Sequence, residues 1–231
     1  MSQITKDEQD NYTQGFVHYT RGQYDDAVRS YDQAIAANNT DYEAWINRGV
    51  SLFELGRYEE AIASDDSATR LNPYDPTPWR NRGISLGELG RYNDALGSFN
   101  EALAIYPEDP EAWYCHATAC LKLDRDTEAQ ESFEKAVAID PDYSDAWFSI
   151  GVLHYNQGRY EKAVESFDVA IKTDPIFHEA WNNRGLALGR LGRYDDAFAS
   201  IEHAHAIDPE SAGHDHDLAV KKQRLAGLWG I

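Results

Sequence analysis

Residues 45–49 read WINRG, residues 79–83 read WRNRG and residues 181–185 read WNNRG. A catalytic motif seldom recurs within one chain, whereas a copied structural unit does, so the spacing of these pentapeptides decides the fold. Trp45, Trp79, Trp113, Trp147 and Trp181 follow one another at intervals of 34 residues without an insertion. A fixed period of this length is the signature of a solenoid of stacked supersecondary units.

With the Trp set at position 4 of each unit, further positions fall into register. Position 8 is Gly49, Gly83, Ala117, Gly151 and Gly185, and position 20 is Ala61, Ala95, Ala129, Ala163 and Ala197. Position 17 is Tyr58, Tyr92, Asp126, Tyr160 and Tyr194, and position 32 is Pro73, Pro107, Pro141, Pro175 and Pro209. An earlier unit lacks the Trp but keeps Gly15, Tyr24, Ala27 and Ala34. Positions 4, 8 and 11 share one face of a helix, and positions 20, 24 and 27 share one face of a second. Leu-Gly-Arg-Tyr, as at 55–58, 89–92 and 191–194, separates the two, with the Gly placed as a left-handed C′ residue. The residue before each Pro is biased out of the α region and ends the second helix. The chain is therefore expected to be all-α. Each unit is a helical hairpin that cannot bury its apolar face alone and must stack on its neighbours.

This pattern resembles the tetratricopeptide repeat family, with its W-x2-L-G-x2-Y, A-x3-F and P signature. The resemblance implies a right-handed α-solenoid. Its six units are residues 8–41, 42–75, 76–109, 110–143, 144–177 and 178–211. Residues 1–7 form an N-terminal extension. Residues 212–231 read as a C-terminal capping helix whose apolar stripe is Leu218, Leu225, Leu228 and Trp229.

The bulk numbers exclude several functions. Forty acidic against 21 basic residues give a net charge of −19, which lacks the basic footprint of a nucleic-acid binder and would be repelled by anionic lipid. No apolar run reaches the roughly 18 residues of a membrane span, and the opening MSQITKDEQD has no signal-peptide core. Cys115 and Cys120 lie on one helix and point apart, so they suit free thiols in a reducing, cytoplasmic setting. There is no phosphate-binding Gly loop and no nucleophile with a placed base, so no enzyme is expected and no cofactor. His203, His205, His214 and His216 are dense enough in nitrogen to raise a transition metal. Their spacing matches no defined site, and His203 and His205 point to nearly opposite sides of a helix, so no metal is expected either.

Function is instead expected on the first helices, which line the binding surface of helical-hairpin solenoids. On each, positions 2, 6, 9 and 13 lie opposite the packing face. Position 6 reads Thr13, Asn47, Asn81, Cys115, Ser149 and Asn183; position 9 includes Val50 and Ile84. An amide can both donate to and accept from an extended peptide backbone, and the apolar residues can take its side chains. This is similar to the asparagine ladder in the repeat superhelix of the O-linked N-acetylglucosamine transferases. That resemblance carries to Asn47, Asn81 and Asn183, while Thr13, Cys115 and Ser149 depart from it. The carboxylate clamp of chaperone-binding repeats needs cations where this chain has Glu43, Glu111, Asp145 and Glu179, and is rejected. Tyr114, Phe148 and Tyr155, with Tyr12 and Tyr19, stand at the groove edge as candidate anchors for a protein or peptide ligand. The alternative is a self-associating module, a homo-oligomer built through the uncapped first unit and the apolar tail.

Two further positions carry structural expectations. Arg48, Arg82 and Arg184, at position 7, flank the packing face and need carboxylates, which Asp32, Asp66 and Asp168 of the preceding units offer. Asp65 stands at position 24, where other units have Tyr31, Phe99, Phe133, Phe167 and Ile201. It is either a weak packing site or a buried carboxylate with a partner.

Overall fold

The computed structural model describes residues 6–209, with side-chain environments from Asp10 onward. The described residues form twelve α-helices and no strand: α1 (Lys6–Thr20), α2 (Tyr24–Ala37), α3 (Tyr42–Glu54), α4 (Tyr58–Leu71), α5 (Pro76–Glu88), α6 (Tyr92–Ile105), α7 (Pro110–Leu121), α8 (Asp126–Ile139), α9 (Ser144–Asn156), α10 (Tyr160–Thr173), α11 (His178–Arg190) and α12 (Tyr194–Ile207). The proposed capping helix at 212–231 lies outside the described residues, as do His214 and His216.

The sequence signals end the helices as their chemistry requires. Gly22, Gly56, Gly90, Gly158 and Gly192 follow the first helices with φ between 71° and 74°, where only glycine escapes the Cβ clash. The corresponding residue after α7 is Asp124, at φ 56°. Asn72 and Asp174, each before a Pro, leave their helices with φ of −137° and −125°. Asp41, Asp75 and Asp109 cap α3, α5 and α7 through side-chain oxygens that accept backbone N–H bonds. Pro76 and Pro110 open their helices at the position where no N–H is needed.

The chain forms two compact units, residues 1–129 and 130–231. In the first, each helix from α1 to α7 packs on the next. Its core is built from small residues, Ala27, Ala34, Ala44, Ala61, Ala68, Ala95 and Ala102, filled in by Tyr31, Leu52, Leu86 and Phe99. Gly83 shows why position 8 is glycine: a Cβ there would lie 2.5 Å from the Phe99 ring. In the second unit α9 to α12 pack in series. Phe167, Leu188, Ala163, Ala180, Ala187 and Ala197 are fully buried, and Trp147 and Trp181 pack against them.

The three Arg–Asp pairs form. Arg48 Nε donates to Asp32 at 2.6 Å, Arg82 Nε to Asp66 at 2.7 Å and Arg184 Nε to Asp168 at 2.6 Å. Each guanidinium also reaches a serine on the second helix of its own hairpin: Ser64 at 2.7 Å, Ser98 at 2.5 Å and Ser200 at 2.6 Å. One side chain thus ties three helices together, and this fixes how successive hairpins register. The tryptophans add a second tie that the spacing did not announce. The indole N–H of Trp45, Trp113, Trp147 and Trp181 donates to the carbonyl six residues earlier, at 3.1, 2.8, 2.9 and 3.0 Å, pinning the loop that enters each hairpin.

Asp65 resolves against the paired alternative. It is buried, yet neither carboxylate oxygen has a hydrogen-bond partner. Burial pushes its carboxyl well above the usual range, and the neighbouring Asp66 adds to this while Arg82 opposes it.

Candidate binding groove

In the first unit the face opposite the packing side of α3, α5 and α7 carries Asn47, Val50, Asn81, Ile84, Tyr114 and Cys115, all half-buried, while Thr13 on α1 is exposed. Glu43 and Glu111 are exposed beside it. The three amides are not equivalent. Asn47 Nδ2 donates to the Tyr12 hydroxyl at 2.9 Å and to the Glu43 carbonyl at 3.0 Å, so both of its N–H groups are spent inside the protein and only its carbonyl oxygen is free to bind. Asn183 Nδ2 donates once, to the Glu179 carbonyl at 2.9 Å. Asn81 makes no side-chain hydrogen bond among the described residues and keeps its full capacity. Ser149 Oγ donates to the Asp145 carbonyl at 2.8 Å.

The edge aromatics divide the same way. Phe148 is packed between Phe167 and Phe177, with ring centroids 5.8 and 4.9 Å away. Tyr155 lies 5.4 Å from Tyr160 and accepts a hydrogen bond from Arg190 Nε at 3.3 Å. Tyr12 meets Tyr31 edge-on at 5.8 Å. These rings hold hairpins together. Tyr114 differs, because it borders an opening.

That opening is a pocket of about 340 Å³ between α5 and α7, walled by Ile84, Tyr92, Phe99, Tyr114, Cys115 and Thr118. It lies where the hairpin lacks a side chain. At position 12 the aromatic residues Tyr19, Phe53 and Tyr155 each cover the position-17 ring of their own hairpin, with centroids 5.3 to 5.5 Å apart. In the third hairpin that position is Gly87, so Tyr92 is left uncovered and the space stays open. Three of the residues expected from the sequence, Ile84, Tyr114 and Cys115, converge on it. Gly87 was not among them, although the aromatic residue at the same position of other units was a readable signal.

Electrostatics shape the rim. Arg80 donates to Asp109 at 2.6 Å and lies 3.3 Å from Glu111, bridging α5 to the cap of α7. Burial pushes the Cys115 thiol up to about 12, and Glu111 adds to the shift. That thiol remains protonated and serves as an apolar wall, not a nucleophile. Both cysteines are free.

The remaining candidates are dispersed. His203 packs against Trp181 in a tilted arrangement with ring centroids 4.2 Å apart, while His205 borders a separate 170 Å³ pocket with His178, Glu179, Asn182 and Asn183. No group of three or more His, Cys, Asp or Glu among the described residues could hold a metal ion. No helix among them is long and apolar enough to cross a membrane.

Comparison with known proteins agrees with this architecture. Residues 12–76 match the family model of the tetratricopeptide repeat, and residues 85–217 match that of the middle TPR-like domain of cilia and flagella-associated protein 70. Among solved structures, YrrB, described as a TPR protein with an unusual peptide-binding site, is 25% identical at a TM-score of 0.65 over 84% of this chain and 97% of its own. PilF of Pseudomonas aeruginosa is 17% identical at a TM-score of 0.77, covering 88% of this chain and 93% of its own. A tetratricopeptide repeat protein of Parabacteroides merdae is 22% identical at 0.71, covering 97% and 91%. The last two likenesses concern the fold alone. No curated protein matches the sequence.

Proposed function

Because the chain belongs to the tetratricopeptide repeat family, whose fold serves as a protein-interaction scaffold, we propose that it is a non-catalytic, cytoplasmic scaffold that binds an extended peptide segment of a partner protein along its first helices. The observation that carries this reading is the pocket vacated at Gly87. Three other hairpins place an aromatic ring at that position, so the empty place fits a ring supplied from outside, set against Tyr92 and Tyr114. Asn81, one helical turn before the pocket residue Ile84 on α5, is free to hold the ligand main chain. Glu43, Glu88 and Glu111, all exposed nearby, favour cationic residues flanking the ring.

The test is selection of peptides from a random library on the immobilised chain. Enrichment of an aromatic residue flanked by Lys or Arg is expected, and binding is lost in Gly87→Tyr. A Cβ at Gly87 meets nothing within 4 Å, so the variant fills the pocket without disturbing the hairpin. Binding that survives both Gly87→Tyr and the combined Asn47→Ala, Asn81→Ala, Asn183→Ala variant would overturn the reading.

One observation favours the second reading, self-association. Phe16 on α1 is 54% exposed at a position that is apolar in most units. Light scattering across concentration separates the two, since a strict monomer removes the second.

A further inference from the structure

The arginine of position 7 has a fixed set of partners wherever it occurs. Its Nε meets a carboxylate on the second helix of the preceding hairpin, and its terminal nitrogen meets a serine on its own second helix. That serine is held by donating to the carbonyl four residues back, at 2.9 Å for Ser64 and Ser200, which leaves its oxygen free to accept. The guanidinium also lies over the Trp of its hairpin, 5.9 Å from the Trp45 ring centroid for Arg48 and 5.8 Å from that of Trp181 for Arg184.

In the hairpin of α9 and α10 the arginine is absent and its partners are present. Position 7 is Ile150. The carboxylate position is Glu134 on α8, the serine position is Ser166 on α10, and Trp147 stands where Trp45 and Trp181 stand. Ser166 is buried and donates to the Lys162 carbonyl at 3.0 Å, as its counterparts do, so its oxygen is likewise free to accept. Glu134 accepts the Gln130 amide at 2.8 Å and makes no ion pair among the described residues. All three border one cavity of about 550 Å³, with Glu165 as a second carboxylate and Lys162 as a cation. His154, also lining it, has an unpartnered Nδ1 and is held neutral by burial, which pushes its imidazole below the usual range. The cavity therefore carries two negative charges against one positive.

We propose that this cavity receives the guanidinium of an arginine side chain presented by a partner protein. A planar fork satisfies a carboxylate and a hydroxyl at once while lying on an indole face; an ammonium offers neither the geometry nor the stacking. The site is separate from the peptide groove. On α9 the groove position is Ser149, whereas Ile150 is buried on the side of the second helices. This inference therefore stands independently of the function proposed above.

The test uses the ¹⁵N-labelled full chain titrated with N-acetyl-arginine-N-methylamide and, separately, with the lysine analogue. Saturable shifts are expected at the Trp147 indole and at the amides around Glu134 and Ser166. Affinity for the arginine probe should be in the millimolar range, and roughly five-fold or more above that for the lysine probe. Glu134→Gln weakens binding about five-fold or more, Lys162→Ala tightens it, and Gly87→Tyr leaves it unchanged. Ile150→Arg supplies the guanidinium from within: it abolishes probe binding and raises the thermal midpoint by a few degrees. Equal responses to the two probes, no saturable shift, or binding retained in both Ile150→Arg and Glu134→Gln would overturn the proposal. If Ile150→Arg does not fold, the probe selectivity and the Glu134→Gln titration decide the matter alone.

Discussion

Replacing Asp65 by leucine should stabilise the first unit, and by an amount that grows with pH. The carboxyl is 1% exposed, both oxygens lack partners, and one would stand 2.9 Å from a Cβ at Gly49. Arg82, the nearest opposing charge, is already committed to Asp66 and Ser98. Leucine nearly matches the shape of aspartate, so the change removes an unsatisfied polar group without opening a cavity. That alone is worth roughly 1–3 kcal/mol. Linkage adds to it. The folded-state pKa is raised, so the wild type binds its proton more tightly when folded. The stability associated with that proton is fully present below the unfolded pKa of about 3.9 and is lost as pH rises toward the folded pKa. The advantage of Asp65→Leu should therefore widen from about pH 4 upward, by up to about 1.4 kcal/mol per pH unit, and level off once the folded pKa is passed. Because a solenoid can open locally, the assay is hydrogen exchange of peptides from α3 and α4 at pH 5, 6, 7 and 8, beside urea denaturation at the same values. A variant less stable than wild type, or an advantage constant across pH, would refute the reasoning.

Three other outcomes are expected. Arg82→Lys loses the fork that serves Asp66 and Ser98 together and should cost about 1 kcal/mol, discounted because Asp66 is half-exposed; urea denaturation measures it, and no change would deny the arginine a role in register. Asp124→Gly relieves a non-glycine residue at φ 56° and should gain roughly 0.5–1 kcal/mol in the same assay, whereas Asp124→Ala should show no gain. Cys115, its thiol pushed up to about 12, and the buried Cys120 should both resist thiol reagents at pH 8 in the native chain; rapid labelling of either would contradict the burial described.

The fold was legible because its signals are local and repeated. A 34-residue period, a glycine after five of the six first helices and a proline after five of the six second helices need no knowledge of distant contacts. The Arg–Asp pairs were legible for the same reason: position 7 of one unit and position 25 of the preceding unit lie 16 residues apart in every copy, so complementary charge could be checked three times. The site was less legible, because binding capacity depends on what a side chain already holds. Asn47 and Asn81 occupy one repeat position, yet Tyr12, 35 residues before Asn47, takes up one amide hydrogen of the former. Phe148 and Tyr155 are aromatic at a groove edge, yet neighbouring rings claim them. The missing partner of Asp65 was beyond sequence altogether, since an absence of contacts is a property of packing.

A repeat supplies its own control for such questions. Each position is occupied in several copies, so a deviating residue can be compared with what its counterparts do. Deviations that keep bulk but change polarity, as at Asp65, store a cost in the fold. Deviations that remove a group while leaving its partners in place, as where Gly87 stands for an aromatic ring and Ile150 for an arginine, leave a cavity lined for the group that is gone. The residues around Gly87 are those that elsewhere receive an aromatic ring, and the residues around Ile150 are those that elsewhere receive a guanidinium. Forming these linings costs little extra ordering, since the fold builds the same linings in other hairpins. A ligand that supplies the missing group therefore meets a preorganised site. On this reasoning the most informative residues for function are the two that withhold the group their counterparts supply.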